Sequence, residues 1–125
     1  MYNDKVLEVF AHPKNVGVID NADAIGTVGN ATCGDIMSIS LKIDNDIITD
    51  AKFQTYGCTA AIATSSVATE MVKGMTLDQA LDLKNASIVE YLEGLPPQKI
   101  HCSVLAEEAI KTAIAQYREK NSTAK

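Results

Sequence analysis

No apolar run in this 125-residue chain approaches the ~20 residues needed to span a bilayer, which excludes a membrane-crossing helix. The opening Met1-Tyr2-Asn3-Asp4-Lys5 lacks the basic-then-apolar layout of a secretion signal, so a cytoplasmic protein is expected. Positive charge is scarce: 11 Lys and Arg against 16 Asp and Glu leave a net charge of −5. With no basic stripe, nucleic acid and anionic membranes are not expected partners, whereas basic patches on proteins are. No internal repeat or low-complexity linker divides the sequence, so one domain spanning 1–125 is expected. Its 46% apolar content is enough for a core that does not depend on metal.

Cysteine is also scarce, and its count matters. Three residues, Cys33, Cys58 and Cys102, cannot close a disulfide framework without leaving a thiol over. No Cys-x-x-Cys pair is present, which excludes a zinc-finger knuckle. Asp44-Asn45-Asp46 lacks the rest of a calcium loop and reads as a solvated turn. His12, before Pro13, reads as a surface residue at a helix end, and Asn121-Ser122-Thr123 as a polar tail.

What is present are three short cysteine contexts: Cys33-Gly34-Asp35, Gly57-Cys58 and His101-Cys102. Gly34 and Gly57 let the backbone bend around whatever the thiolates hold. Three sulfurs with either the Asp35 carboxylate or the His101 imidazole form a ligand set for zinc or for an iron–sulfur cluster. A single cysteine would read as a small core hydrophobe. Three beside Gly, Asp and His, none inside an apolar stripe, do not fit that reading.

The hydrophobic pattern places them. Asn3 caps a helix over 3–11 with Val6, Leu7, Val9 and Phe10 as its apolar face. A short strand is expected near Ile25–Val28. Met37, Ile39, Leu41 and Ile43 alternate with Ser38, Ser40 and Lys42 as a half-buried strand. The acidic turn returns it as 47–56, with Thr49, Ala51 and Phe53 on one face. Helices follow from Thr59 to about Val72, from the Thr76–Gln79 capping box to about Leu83, from a second such box at Ser87–Glu90, and from about Ser103 to Glu119. The order predicts an α+β two-layer sandwich, a small antiparallel three-stranded sheet with helices on one face. All three cysteines then fall at element ends. Cys58 and Cys102 precede helix N-termini, which stabilise thiolates, and Lys99 and His101 add positive charge near Cys102.

Seven segments together carry a resemblance. They are Asn15-Val16-Gly17, Cys33-Gly34-Asp35, Phe53 through Cys58, Ala61 through Ser66, Leu95-Pro96-Pro97-Gln98-Lys99, Ile100-His101-Cys102-Ser103 and Leu105 through Lys111. In this order over one domain they resemble the iron–sulfur cluster assembly scaffolds of the IscU/NifU N-terminal type. The resemblance implies a non-enzymatic scaffold that takes persulfide sulfur from a cysteine desulfurase, adds iron, holds a transient [2Fe-2S] cluster and passes it to apo-proteins. It implies Cys33, Asp35, Cys58, His101 and Cys102 as the cluster and metal ligands, with zinc held there when no cluster is present. It further implies Cys102 as persulfide acceptor, and Leu95, Pro96, Pro97 and Lys99 as a loop for an Hsp70/J-type chaperone. A monomer or weak dimer is expected. Gln98 stands where the family commonly has Val, and Thr59 where it often has Gly. The alternative is a zinc-dependent sulfurtransferase that activates a cysteine desulfurase. That branch tends to lack the histidine that is present here as His101.

Overall fold

The computed structural model describes residues 3–30, 35–56, 59–95 and 100–123, with the side chains of residues 30, 35, 101, 102 and 120–123 outside that description. The element order is α1 (Asp4–Ala11), β1 (Ala24–Asn30), β2 (Asp35–Asp44), β3 (Ile47–Tyr56), α2 (Thr59–Val72), α3 (Leu77–Leu81), α4 (Asn85–Tyr91) and α5 (Ile100–Thr123). None of the described helices is long and apolar enough to cross a membrane.

Local chemistry sets several boundaries. Asn3 Oδ1 accepts from the Val6 N–H at 2.9 Å and caps α1. Asn45 and Asp46 turn β2 into β3 with φ of 53° and 62°, the left-handed region that short polar side chains tolerate. Thr76 and Gln79 form the reciprocal capping box of α3.

The strands form an antiparallel sheet in the order β1-β2-β3. Its register aligns Gly26, Ile39 and Phe53 across the three strands, and Ala24, Leu41 and Ala51 likewise. This face is buried beneath α2 and α5. Each large side chain in it, such as Met37, Ile39, Leu41 or Phe53, contributes roughly 1.5–3 kcal/mol of apolar burial. Backbones approach closely because the contacts are small. A Cβ on Gly26 would lie 2.2 Å from the Ala109 carbonyl oxygen of α5. α2 is buried on nearly every side, and its hydroxyls turn inward. Thr64, Ser65 and Thr69 donate to the carbonyls of Ala60, Ala61 and Ser65 at 2.8, 2.7 and 2.7 Å, which satisfies their hydroxyl hydrogens within the helix.

The α+β sandwich of the sequence reading is therefore the observed fold, with several corrections in detail. Thr49 is exposed and Ile48 is buried in its place, because a bulge between Lys42 and Ile43 pairs Asp50 and then Ile48, skipping one residue. On α1, Val6 is buried, but Leu7 and Phe10 are exposed. β1 is longer than Ile25–Val28, and α3 ends at Leu81. α4 starts at Asn85, not at a Ser87 capping box, and its N-cap Lys84 makes no side-chain cap. α5 begins at Ile100, three residues before the expected Ser103, and runs past Glu119 to Thr123.

The opposite sheet face is not simply polar and open. Residues 12–22 reach the free edge of β3, where Phe53 N–H donates to the Asn15 carbonyl and Gly17 N–H to the Phe53 carbonyl, both at 2.8 Å. The segment continues to Ser40, whose hydroxyl accepts from the Ile19 N–H at 3.1 Å and is buried.

Candidate functional site

The register brings the chain ends flanking two cysteines to one end of the sheet. Asn30 pairs with Asp35 where β1 gives way to β2, around the segment containing Cys33. Ile36 pairs with Tyr56, the last residue of β3 before Gly57-Cys58, and α2 opens at Thr59.

α5 delivers the third to the same end. It runs antiparallel to β1: Gln116 and Tyr117 lie beside Ala24 and Ile25, while Ala109 and Ala113 lie over Gly26. From Ala109 back to Cys102 is ~10 Å of helix, and from Gly26 on to Asn30 is ~13 Å of strand. The first turn of α5 is therefore level with the end of β1.

Four of the expected site residues, Asp35, Leu95, His101 and Cys102, have a described backbone on this frame. Asp35 is the first residue of β2, and His101 and Cys102 are the second and third of α5. Cys102 thus lies inside the first helical turn instead of preceding it. The backbone N–H groups of that first turn lack intrahelical acceptors, as at any helix N-terminus. Leu95 packs partly buried against the core. Cys33, Cys58, Pro96, Pro97 and Lys99 lie outside the described residues. Ile36, Tyr56 and Ile100, all exposed, add apolar surface at the strand ends and at the start of α5.

Sequence reasoning missed how the first turn of α5 is held. The Ser103 hydroxyl donates to the Ile100 carbonyl at 2.7 Å, and Asn85 Nδ2 donates to Ser103 Oγ at 3.3 Å. The Asn85 N–H donates to Glu107 Oε1 at 2.6 Å, and Lys111 Nζ lies 2.9 Å from Glu107 Oε2. Glu107 therefore supplies from α5 the cap that Lys84 does not give to α4. Burial raises the Glu107 pKa. The hydrogen bonds from Lys111 and the Asn85 N–H, with the nearby charges of Lys111 and Lys84, outweigh burial and hold it below the ordinary carboxylate value. The Glu107–Lys111 spacing is visible in the sequence. The Asn85 contact, 22 residues away, has no local signal.

A family model described as the NifU-like N terminal domain matches residues 1–124. The chain belongs to this family. It is 54% identical over 121 residues to the iron-sulfur cluster assembly scaffold protein IscU 1 of Archaeoglobus fulgidus, covering 97% of this chain and 79% of that one. It is likewise 54% identical over 123 residues to the iron-sulfur cluster assembly scaffold protein IscU of Escherichia coli, covering 95% of each. Among solved structures, the N-terminal part of a nitrogen-fixing NifU-like protein from Brucella abortus superposes with a TM-score of 0.77 over 94% of both chains. At 24% identity that likeness speaks to the fold.

Proposed function

We propose that this protein is an iron–sulfur cluster assembly scaffold, a carrier and not a turnover enzyme. The observation that carries this reading is convergence. The chain ends flanking Cys33 and Cys58 and the α5 turn bearing Cys102 lie at one end of the sheet. Relatives alike over nearly the whole chain are named as such scaffolds. That naming favours the scaffold over the zinc-dependent sulfurtransferase.

In this reading Cys102 is the sulfur acceptor. Its thiolate attacks the outer sulfur of a persulfide on a cysteine desulfurase. An S–S bond forms on Cys102, and the desulfurase cysteine leaves as thiolate. An external reductant supplies the two electrons that convert the bound sulfane sulfur to sulfide. The free N–H groups at the start of α5 favour the thiolate that begins this sequence.

Cys33, Cys58 and Cys102, with Asp35 or His101, then hold a transient [2Fe-2S] cluster as cargo. An oxygen ligand among sulfurs is harder and more easily exchanged, which suits release to an apo-protein. The same donors suit zinc when no cluster is present. Leu95, Pro96, Pro97 and Lys99, which precede α5 in the sequence, are the candidate partner-binding segment, with an Hsp70/J-type chaperone as the candidate partner. A cytoplasmic location fits the sequence.

Transfer is the direct test. Protein reconstituted anaerobically with iron, cysteine and a desulfurase should convert an apo-ferredoxin to its holo form, and an Asp35→Ala variant should hold its cluster longer and donate it more slowly. A wild-type chain that never takes up cluster under these conditions would overturn the proposal.

A further inference from the structure

Hydrogen-bond alternation fixes which backbone groups of β1 point away from the sheet. Phe53 donates to Asn15 and accepts from Gly17, both outside the sheet, so its neighbours Lys52 and Gln54 point to β2. These two are aligned with Ser40 and Ser38, which leaves Ile39 and Met37 to bond Gly26 and Val28 of β1. Ile25, Thr27 and Gly29 therefore aim their N–H and C=O groups outward, and all three residues are exposed. Among the described residues, no backbone hydrogen bond reaches them from another segment. The two edges of the sheet thus differ. Residues 12–22 close the edge of β3, and no described segment closes that of β1. The usual protections of a bare edge are missing as well: β1 has no charged residue and no proline, and it pairs with β2 over seven residues in one unbroken register.

We propose that the β1 edge is a docking site for an extended segment of a partner protein, added to the sheet as a fourth strand. The complement of a row of outward N–H and C=O groups is another extended backbone. A strand of this length takes a segment of about six residues, free of proline. The position of α5 disfavours a second copy as the occupant. Ala109 and Ala113 stand over Gly26, so the helix lies above β1 itself. The antiparallel β1 of a second copy would sit ~4.8 Å away and bring its own α5 equally close, inside the ~8–10 Å that packed helices need. A single strand with no helix above it meets no such obstacle. On the α5 side, a recess of about 540 Å³ lined by Ala24, Gln116 and Tyr117 has room for its side chains. On the other face Ile25, 43% exposed, gives it an apolar cross-strand neighbour and favours Val, Ile or Thr there. The site stands independently of cluster assembly, because it uses the backbone of β1 and none of the cysteines.

The test uses the full chain, isotope-labelled and followed by amide NMR and hydrogen exchange, with acetyl-Lys-Thr-Val-Thr-Val-Thr-Lys-amide as the probe. In the free protein the amides of Ile25, Thr27 and Gly29 should exchange far faster than those of Gly26 and Val28. With the peptide they should shift saturably and become protected. A control peptide N-methylated at its central residues keeps every side chain and charge but loses the backbone donors, and it should bind at least about tenfold more weakly. Thr27→Pro removes the central outward donor and none of the bonds to β2, so it should keep the fold and weaken peptide binding by a similar factor. Slow exchange of the three amides in the free monomer would show the edge already closed and overturn the proposal. Equal binding of both peptides, or shifts confined to other surfaces, would overturn it as well. A dimer that protects the same amides without peptide would give the edge to a second copy and contradict it too.

Discussion

Gly26 of β1 and Ala109 of α5 are in backbone contact: a Cβ at residue 26 would sit 2.2 Å from the Ala109 carbonyl oxygen and 2.6 Å from the Ala113 nitrogen. The atoms in the way are backbone, so relief requires α5 to move off the sheet. Gly26→Ala should therefore destabilise the fold by about 1–3 kcal/mol, the usual cost of overpacking. Because α5 carries Cys102, the same variant should also bind cluster less well. Urea unfolding measures the first effect and the visible absorption of the reconstituted protein the second. An unchanged midpoint would show that α5 does not lie on β1 this closely.

Asn15 gives a second prediction, one that separates backbone from side chain. Its φ is 68°, Nδ2 donates to Thr69 Oγ1 at 3.2 Å, and Lys73 Nζ donates to Oδ1. Its carbonyl accepts from Phe53 at the edge of β3. Asn15→Gly keeps the left-handed backbone accessible and loses only the side-chain bonds. Asn15→Ala loses both and should be less stable than Asn15→Gly by about 1 kcal/mol. Thermal or urea unfolding of the pair decides it, and equal stabilities would count against the strained backbone.

Asn3 performs two tasks with one amide. Its oxygen caps α1, and its nitrogen donates to the carbonyls of Leu92, Glu93 and Gly94 at 3.0, 3.0 and 3.2 Å. Asn3→Asp should keep the cap and lose the link to the end of α4, whereas Asn3→Ala loses both. The expected order of stability is wild type, then Asp, then Ala, with about 1 kcal/mol between the last two for the cap. Unfolding midpoints in the reverse order for the two variants would remove the capping role.

The Glu107 carboxyl should titrate below the ordinary carboxylate range when followed by side-chain carboxyl NMR. The hydrogen bonds from Lys111 and the Asn85 N–H, and the charges of Lys111 and Lys84, outweigh the burial that raises it. Lys111→Met removes a charge and a hydrogen bond together, so the midpoint should rise. A midpoint that does not move would leave the link between α4 and α5 to the Asn85 contact alone.

These positions also show what a sequence can and cannot reveal. The strand face of Met37, Ile39, Leu41 and Ile43 was legible because a side-chain period of two is a local property, and all four are buried. The Thr76–Gln79 box was legible for the same reason. Thr49 was misplaced because a bulge breaks that period without altering composition. The start of α4 was misplaced because Glu107, distant in sequence, supplies its cap. Leu7 and Phe10 carry a helical apolar pattern, yet α1 packs mainly on α2, and these two side chains stay exposed. At the candidate site the reverse held. The three cysteines stood out by type and context, while their spacing of 25 and 44 residues concealed that the fold brings their flanking elements to one end.

The scaffold account rests on three thiolates acting together, and composition tests that most directly. Protein purified anaerobically and incubated with iron, cysteine and a desulfurase should contain iron and acid-labile sulfide in equal amounts, with charge-transfer absorption in the visible. Cys33→Ala, Cys58→Ala and Cys102→Ala should each lose or alter that spectrum. One zinc per chain with no uptake of iron or sulfide would contradict the account.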